Sequence, residues 1–132
     1  MIELKIKPLS VNAAYAAVKI GKRSSIAKSK EYKRYTKELP LLLPAMHQLP
    51  PGKLVLLIKF YFATAASDVD NCIKPMQDLI CDYYGVNDNK IYLLIVEKLT
   101  GHKGNERIEF EFIEHHDGMF EACRNTIINI DH

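Results

Sequence analysis

The stretch Lys53–Phe62, KLVLLIKFYF, constrains the fold most. It is an apolar run rich in β-branched and aromatic residues, interrupted only by lysine. Such a run suits a strand covered on both faces, which places it at the centre of a sheet. Pro50-Pro51-Gly52 punctuates the chain just before it. Three other segments read as strands. Ile2, Leu4 and Ile6 alternate with Glu3, Lys5 and Lys7, the pattern of a half-buried strand that Pro8 ends. Ile91–Leu99, IYLLIVEKL, is a second apolar run. Arg107–Ile113 alternates again, with Ile108, Phe110 and Phe112 on one face. Gly101–Asn105 reads as a turn, so the last two strands are expected to pair as a hairpin.

Two segments carry helical spacing. Ser29 is a candidate N-cap for a helix starting near Lys30. Tyr32, Tyr35 and Leu39 share one face of it, the spacing of core residues more than of base-stacking ones. Pro40 is expected to kink or stop this helix, and LLLPAMHQL to restart it. In the second, Cys72, Met76, Leu79 and Tyr83 line one face of residues 71–84, with Ile80 beside them. Asp70 or Asn71 can cap its start, Pro75 falls near its first turn, and Gly85 supplies a stop. A shorter helix is expected near Phe120–Ile127, within a tail of about residues 115–132. The expectation is an α+β single domain over residues 1–132, a mixed sheet of about four strands packed with two main helices.

Between the first strand and the first helix lies a lysine- and serine-rich segment, read as a basic loop over about 16–29. Residues 1–63 carry 12 Lys/Arg against 3 Asp/Glu, and residues 64–132 carry 6 against 13. The basic half suits a polyanion; equally, the two halves can neutralise each other across the fold. Lys22, Arg23 and Lys28 of the loop, with Lys30, Lys33 and Arg34 of the helix, are the candidate phosphate contacts. No apolar run is long enough for a membrane span or a signal-peptide core, and three cysteines without metal-ligand spacing read as free thiols. The expected location is the cytoplasm.

The acidic half holds the candidate chemistry, in Ser67–Asn89, SDVDNCIKPMQDLICDYYGVNDN. Asp68 and Asp70 are two apart, and in extended backbone they would share a face. Lys74 follows one helical turn after Asp70, and Asp88 comes after the helix. Carboxylate oxygens suit a hard divalent cation such as magnesium, and the lysine suits a phosphate. A D-x-D pair before a helix is also what plain dipole stabilisation looks like. A 14-residue helix spans roughly 21 Å, which sets Asp88 at the far end from the pair. Either the helix is shorter or bent, or Asp88 meets the pair of a second subunit in a twofold dimer. Adjacent His115 and His116 with Asp117 are a much weaker metal signal, since neighbouring loop histidines rarely converge.

The pattern D-V-D-N-C-I-K (Asp68, Asp70, Asn71, Lys74), a helix, then G-V-N-D-N-K-I (Gly85, Asp88, Ile91) resembles the RusA family of Holliday junction resolvases. Ser10-Val11-Asn12 with Tyr15, and Ser29-Lys30-Glu31-Tyr32, extend the likeness more loosely. The resemblance implies a homodimeric, magnesium-dependent endodeoxyribonuclease of mixed α/β fold, often prophage-encoded, that cuts four-way DNA symmetrically. It implies Asp68, Asp70 and Asp88 as metal ligands and catalytic residues, with Lys74 as the catalytic lysine. Two departures stand out. Arginines often precede the family's first aspartate, where this chain has Ala65-Ala66-Ser67, and its later acidic position is often a double aspartate, where this chain has Asn87-Asp88. The rival readings are a catalytically inactive branched-DNA-binding protein and a small-molecule phosphatase. Haloacid-dehalogenase-like phosphatases and glycosyltransferases that use D-x-D need larger domains than 132 residues.

Overall fold

The computed structural model describes residues 1–9, 15–20, 23–28, 30–45 and 49–130, with 15–20 and 23–28 described as backbone. In chain order the elements are β1 (Ile2–Leu4), β2 (Tyr15–Ile20), β3 (Arg23–Lys28), α1 (Lys30–Leu42), β4 (Leu54–Tyr61), α2 (Asp70–Tyr84), a 3-10 turn (Asp88–Lys90), β5 (Ile91–Leu99), β6 (Arg107–Glu114) and α3 (Met119–Ile128). Among the described residues the fold is α+β: a four-stranded mixed sheet in the order β1-β6-β4-β5, a separate two-stranded ribbon β2-β3, and three helices.

β4 takes the central place its composition requires, antiparallel to β6 on one side and parallel to β5 on the other. The expected β5–β6 hairpin does not form, because β4 lies between the two strands. The reason lies in the crossover. A parallel neighbour for β4 needs a connection long enough to return the chain to the starting end, and α2 provides it. The link after β5 then passes over the end of β4: Phe62 N–H donates to the Leu99 carbonyl at 2.8 Å, and His102 N–H to the Phe62 carbonyl at 3.0 Å.

One face of the sheet carries the core. Leu56 opposes Phe112, Ile58 opposes Phe110 and Phe60 opposes Ile108, all buried. α1 adds Tyr35 and Leu39; α2 adds Cys72, Met76, Ile80 and Cys81. Side chains of this kind contribute roughly 1.5–3 kcal/mol each when buried. The two helices meet where the Tyr35 hydroxyl lies 3.6 Å from the Met76 sulfur. Tyr35 is buried and Tyr32 packs against the core, as their spacing indicates. On α2 the buried line is Cys72, Met76 and Ile80; Leu79 is half-buried and Tyr83 exposed, so the face is rotated from the expected one.

Several local expectations change. Residues 15–20 and 23–28 form an antiparallel ribbon where a loop is expected. The signal was a connection of two residues, Gly21 and Lys22, between two six-residue runs. Ser29, the expected cap of α1, lies outside the described residues. Pro40 sits inside α1, which runs on to Leu42, and residues 43–45 do not restart a helix. α3 forms close to its expected limits, and none of its residues is buried. Among the described residues no helix is long and apolar enough to cross a membrane.

Candidate functional site

The acidic residues are set by the two ends of α2. At its start, Val69 is the cap residue with helical backbone angles (φ −65, ψ −38), and no side chain caps the first turn. Helical backbone at Val69 removes the extended geometry that would put Asp68 and Asp70 on one face, and neither Asp70 nor Asn71 acts as the cap. Both carboxylates are exposed. The first-turn N–H groups and the positive end of the helix dipole favour negative charge here.

Cys72, read from the sequence as a core-facing residue, and Lys98, given no role there, hold this end in place. The Cys72 thiol donates to the Asp68 carbonyl at 3.5 Å. Lys98 on β5 donates from Nζ to the Ala65 carbonyl at 2.9 Å, tying the loop before the carboxylates to the sheet. Burial pushes the Cys72 thiol up to about 11; Lys98 draws it down, while Asp70 and Asp68 add to the rise. Lys98 therefore lies in the same electrostatic neighbourhood as the acidic pair. Only its pairing partner, Phe60 on β4, gives this away, and register is not readable from one strand alone.

Lys74 is exposed, with its Nζ 3.2 Å from Asp78 Oδ2, four residues on. Asp70, Lys74, Asp78 and Asp82 follow one another at i, i+4 spacing along the exposed side of α2.

The far end of α2 is closed. Gly85 adopts φ 66, its N–H donates to the Asp82 carbonyl, and Val86 N–H donates to the Cys81 carbonyl at 2.8 Å. This is the Schellman arrangement, which glycine makes without steric cost. Tyr84 hydroxyl donates to the Pro44 carbonyl at 2.6 Å and ties this end to the segment after α1. Asp88 then opens the 3-10 turn, where the Asn87 side chain accepts from Asn89 N–H at 3.1 Å. Asp88 is exposed and lines an open cleft of about 490 Å³ with Asp78, Asp82, Cys81 and Tyr32. Burial raises the Cys81 thiol to about 11, with Asp88 and Asp78 adding to the rise.

The helix is neither shortened nor broken: 15 residues, roughly 22 Å, separate the Asp68/Asp70 pair from Asp88. Among the described residues no group of three His, Cys, Asp or Glu side chains is placed to hold a metal ion. The sequence-derived ligand set is thus divided, two carboxylates at one end of α2 and one at the other. His115 and His116 with Asp117 form no metal group either.

Of the candidate phosphate contacts, Lys30, Lys33 and Arg34 are all exposed on α1, away from its buried Tyr35 and Leu39. Arg23 and Lys28 begin and end β3, opposite Ile20 and Tyr15. Lys22 lies outside the described residues.

Comparison with known proteins returns no match: no protein-family model fits the chain, and no curated protein matches its sequence.

Proposed function

We propose that this chain is a magnesium-dependent endodeoxyribonuclease that acts on four-way or branched DNA as a homodimer, in recombination and repair. The reading rests on the D-x-D-N-x-x-K core and its resemblance to the RusA family. The observation that carries its dimeric form is the intact α2 between the Asp68/Asp70 pair and Asp88. A second copy related by a twofold axis would bring its own Asp88 to the pair, and the pair to its own.

Asp68 and Asp70 suit magnesium in part, since this ion is commonly held by one or two carboxylates with waters and phosphate oxygens filling the rest. Among the described residues a single chain offers no third carboxylate beside them; Asp88 of the second copy would supply it. When bound, the ion supplies charge neutralisation and an activated water. The chain's own residues do the remainder. Lys74, released from Asp78, neutralises a phosphate oxygen. Cys72 and Lys98 hold the backbone of the Asp68 loop. Lys30, Lys33 and Arg34, with Lys22, Arg23 and Lys28, take flanking phosphates without reading bases.

The test is nicking of a synthetic four-way junction with and without magnesium. Asp70→Asn is expected to lose more than about 100-fold in rate, since even outer-sphere partners of metal ligands are worth roughly 10–100-fold, and to keep junction binding. Native-rate cleavage by Asp70→Asn would defeat the assignment. The divided carboxylates favour one second reading, a catalytically inactive binder of branched DNA. It predicts junction binding with no cleavage at any magnesium concentration.

A further inference from the structure

Lys5 and Lys7 are two residues apart, so continued strand alternation would set them on one face. The chain separates them just after β1. Ile6 N–H donates to the Leu4 carbonyl at 2.9 Å, a three-residue turn that ends the alternation. Lys5 stays with the sheet: its Nζ lies 2.6 Å from Glu3 Oε1 and donates to Asn105 Oδ1 at 3.4 Å. Lys7 turns away from it and is exposed. Pro8 fixes the backbone on its far side, and Leu9 is buried in the core. Lys7 is thus a solvent-facing cation on a short segment anchored at both ends.

Two cavities meet at this segment. The first, about 240 Å³, is lined by Lys7, Thr64, Ser67 and Glu106, with Pro8 and Phe62 as apolar wall. Ser67 directly precedes Asp68, so this cavity lies beside the acidic pair. The second, about 280 Å³, is lined by Lys7, Pro8, Glu31, Arg34 and Tyr35, which brings in an exposed cation of α1. Residues 63–67 carry no charge of their own. Of the cations near them, Lys98 is committed to the Ala65 carbonyl and Lys74 is paired with Asp78. Among the described residues no ion pair joins Lys7 or Arg34 to Glu31 or Glu106. The Glu106 carboxylate instead accepts Gly104 N–H at 3.1 Å.

We infer that Lys7 binds a backbone phosphate of DNA beside the Asp68/Asp70 pair, and with Arg34 carries the strand there from α1. Lysine offers a phosphate oxygen three donors and no acceptor. Hydroxyls complete the cradle: Thr64 Oγ1 accepts Ala66 N–H at 3.3 Å, which leaves its own proton to donate, and Ser67 stands next to the pair. The placement also answers an electrostatic difficulty. Two exposed carboxylates repel a phosphate backbone, and an unpaired cation at their side offsets that repulsion. Lys7 borders both cavities, so the cations of α1 and the acidic pair belong to one track and not to two separate surfaces. This contact presumes the DNA substrate proposed above and adds to it a residue that reads no bases.

Binding of the full chain to a synthetic four-way junction without divalent metal, over a salt series, tests this apart from cleavage. Lys7→Gln is expected to weaken binding roughly 10-fold at low salt, and to flatten log affinity against log salt by about 1 for each chain bound. Lys7→Arg keeps the charge and should keep the slope. Lys5→Gln removes the same charge two residues away, outside both cavities, and should leave the slope unchanged. With magnesium, Lys7→Gln should raise KM for nicking and leave kcat unchanged, the mark of a contact made equally before and during reaction. Lys7 is exposed, so its variants should melt with the wild type. A slope unmoved by Lys7→Gln overturns the contact and leaves the nuclease standing. An equal loss in Lys5→Gln overturns it in favour of net charge alone. A junction bound with a Lys7-dependent slope but never nicked upholds the contact and defeats the nuclease. A wild type that binds no DNA overturns both.

Discussion

The two ends of α2 are built on opposite principles. The amino-terminal end is open: no side chain caps it, Val69 is already helical, and Asp68 and Asp70 stand exposed at the positive end of the dipole. The carboxyl-terminal end is sealed by Gly85 and by Tyr84 against Pro44, yet it too is acidic. Asp78, Asp82 and Asp88 gather there, and the last turn holds no basic residue. Carboxylates are favourable at the first end and unfavourable at the second. Acidic groups kept where the helix dipole opposes them point to a task other than holding the helix, and the cleft they line faces outward.

That contrast can be broken at the sealed end. Gly85→Ala places a Cβ on a residue at φ 66 and is expected to cost about 1–2 kcal/mol in denaturant unfolding, through backbone strain alone, since nothing lies near the added carbon. A neutral result would mean the Schellman closure is not what ends the helix. The dipole argument is sharpened by a pair of variants with opposite signs. Asp70→Asn should lower stability and Asp82→Asn raise it, each by about 0.3–1 kcal/mol at low salt and less at high salt. Matching signs would remove the electrostatic distinction between the ends.

Least visible at neutral pH is what the two ends share. Cys72 and Cys81 are both raised to about 11 by burial, one beside each acidic group. A thiol whose folded pKa lies above its unfolded value binds more protons when folded. Its contribution is therefore complete below the unfolded pKa of about 8.5 and is lost as pH rises through about 11. Melting temperature should fall across that window, and Cys72→Ala with Cys81→Ala should flatten the fall. An equally steep fall in the double variant would assign it to other groups.

How much of this was legible beforehand depends on range. The central strand, the limits of α2 and the existence of α3 follow from composition and period over ten or so neighbouring residues. Gly85 as the stop follows from the need for a left-handed residue. Other misreadings are questions of what a segment lies next to. β5 and β6 look like a hairpin until β4 is seen between them, and nothing marks Lys98 until β5 is set beside β4. Asp68 and Asp70 look coplanar until Val69 proves helical. The separation of Asp88 from the pair was legible, because helix length is fixed by residue count. Which chain supplies the missing neighbour is not, since a sequence carries no record of its partner.

The central claim is that one acidic group from each of two chains completes a site. Mixing Asp70→Asn chains with Asp88→Asn chains and refolding them together tests it directly. Each variant alone should fail to nick a four-way junction. In a mixed dimer one site then draws an intact pair from one chain and an intact Asp88 from the other. The mixture should recover roughly a quarter of wild-type nicking, from half the dimers with one sound site each. A mixture as inactive as either variant, beside a wild-type chain that cuts, would show that each site is made within a single chain.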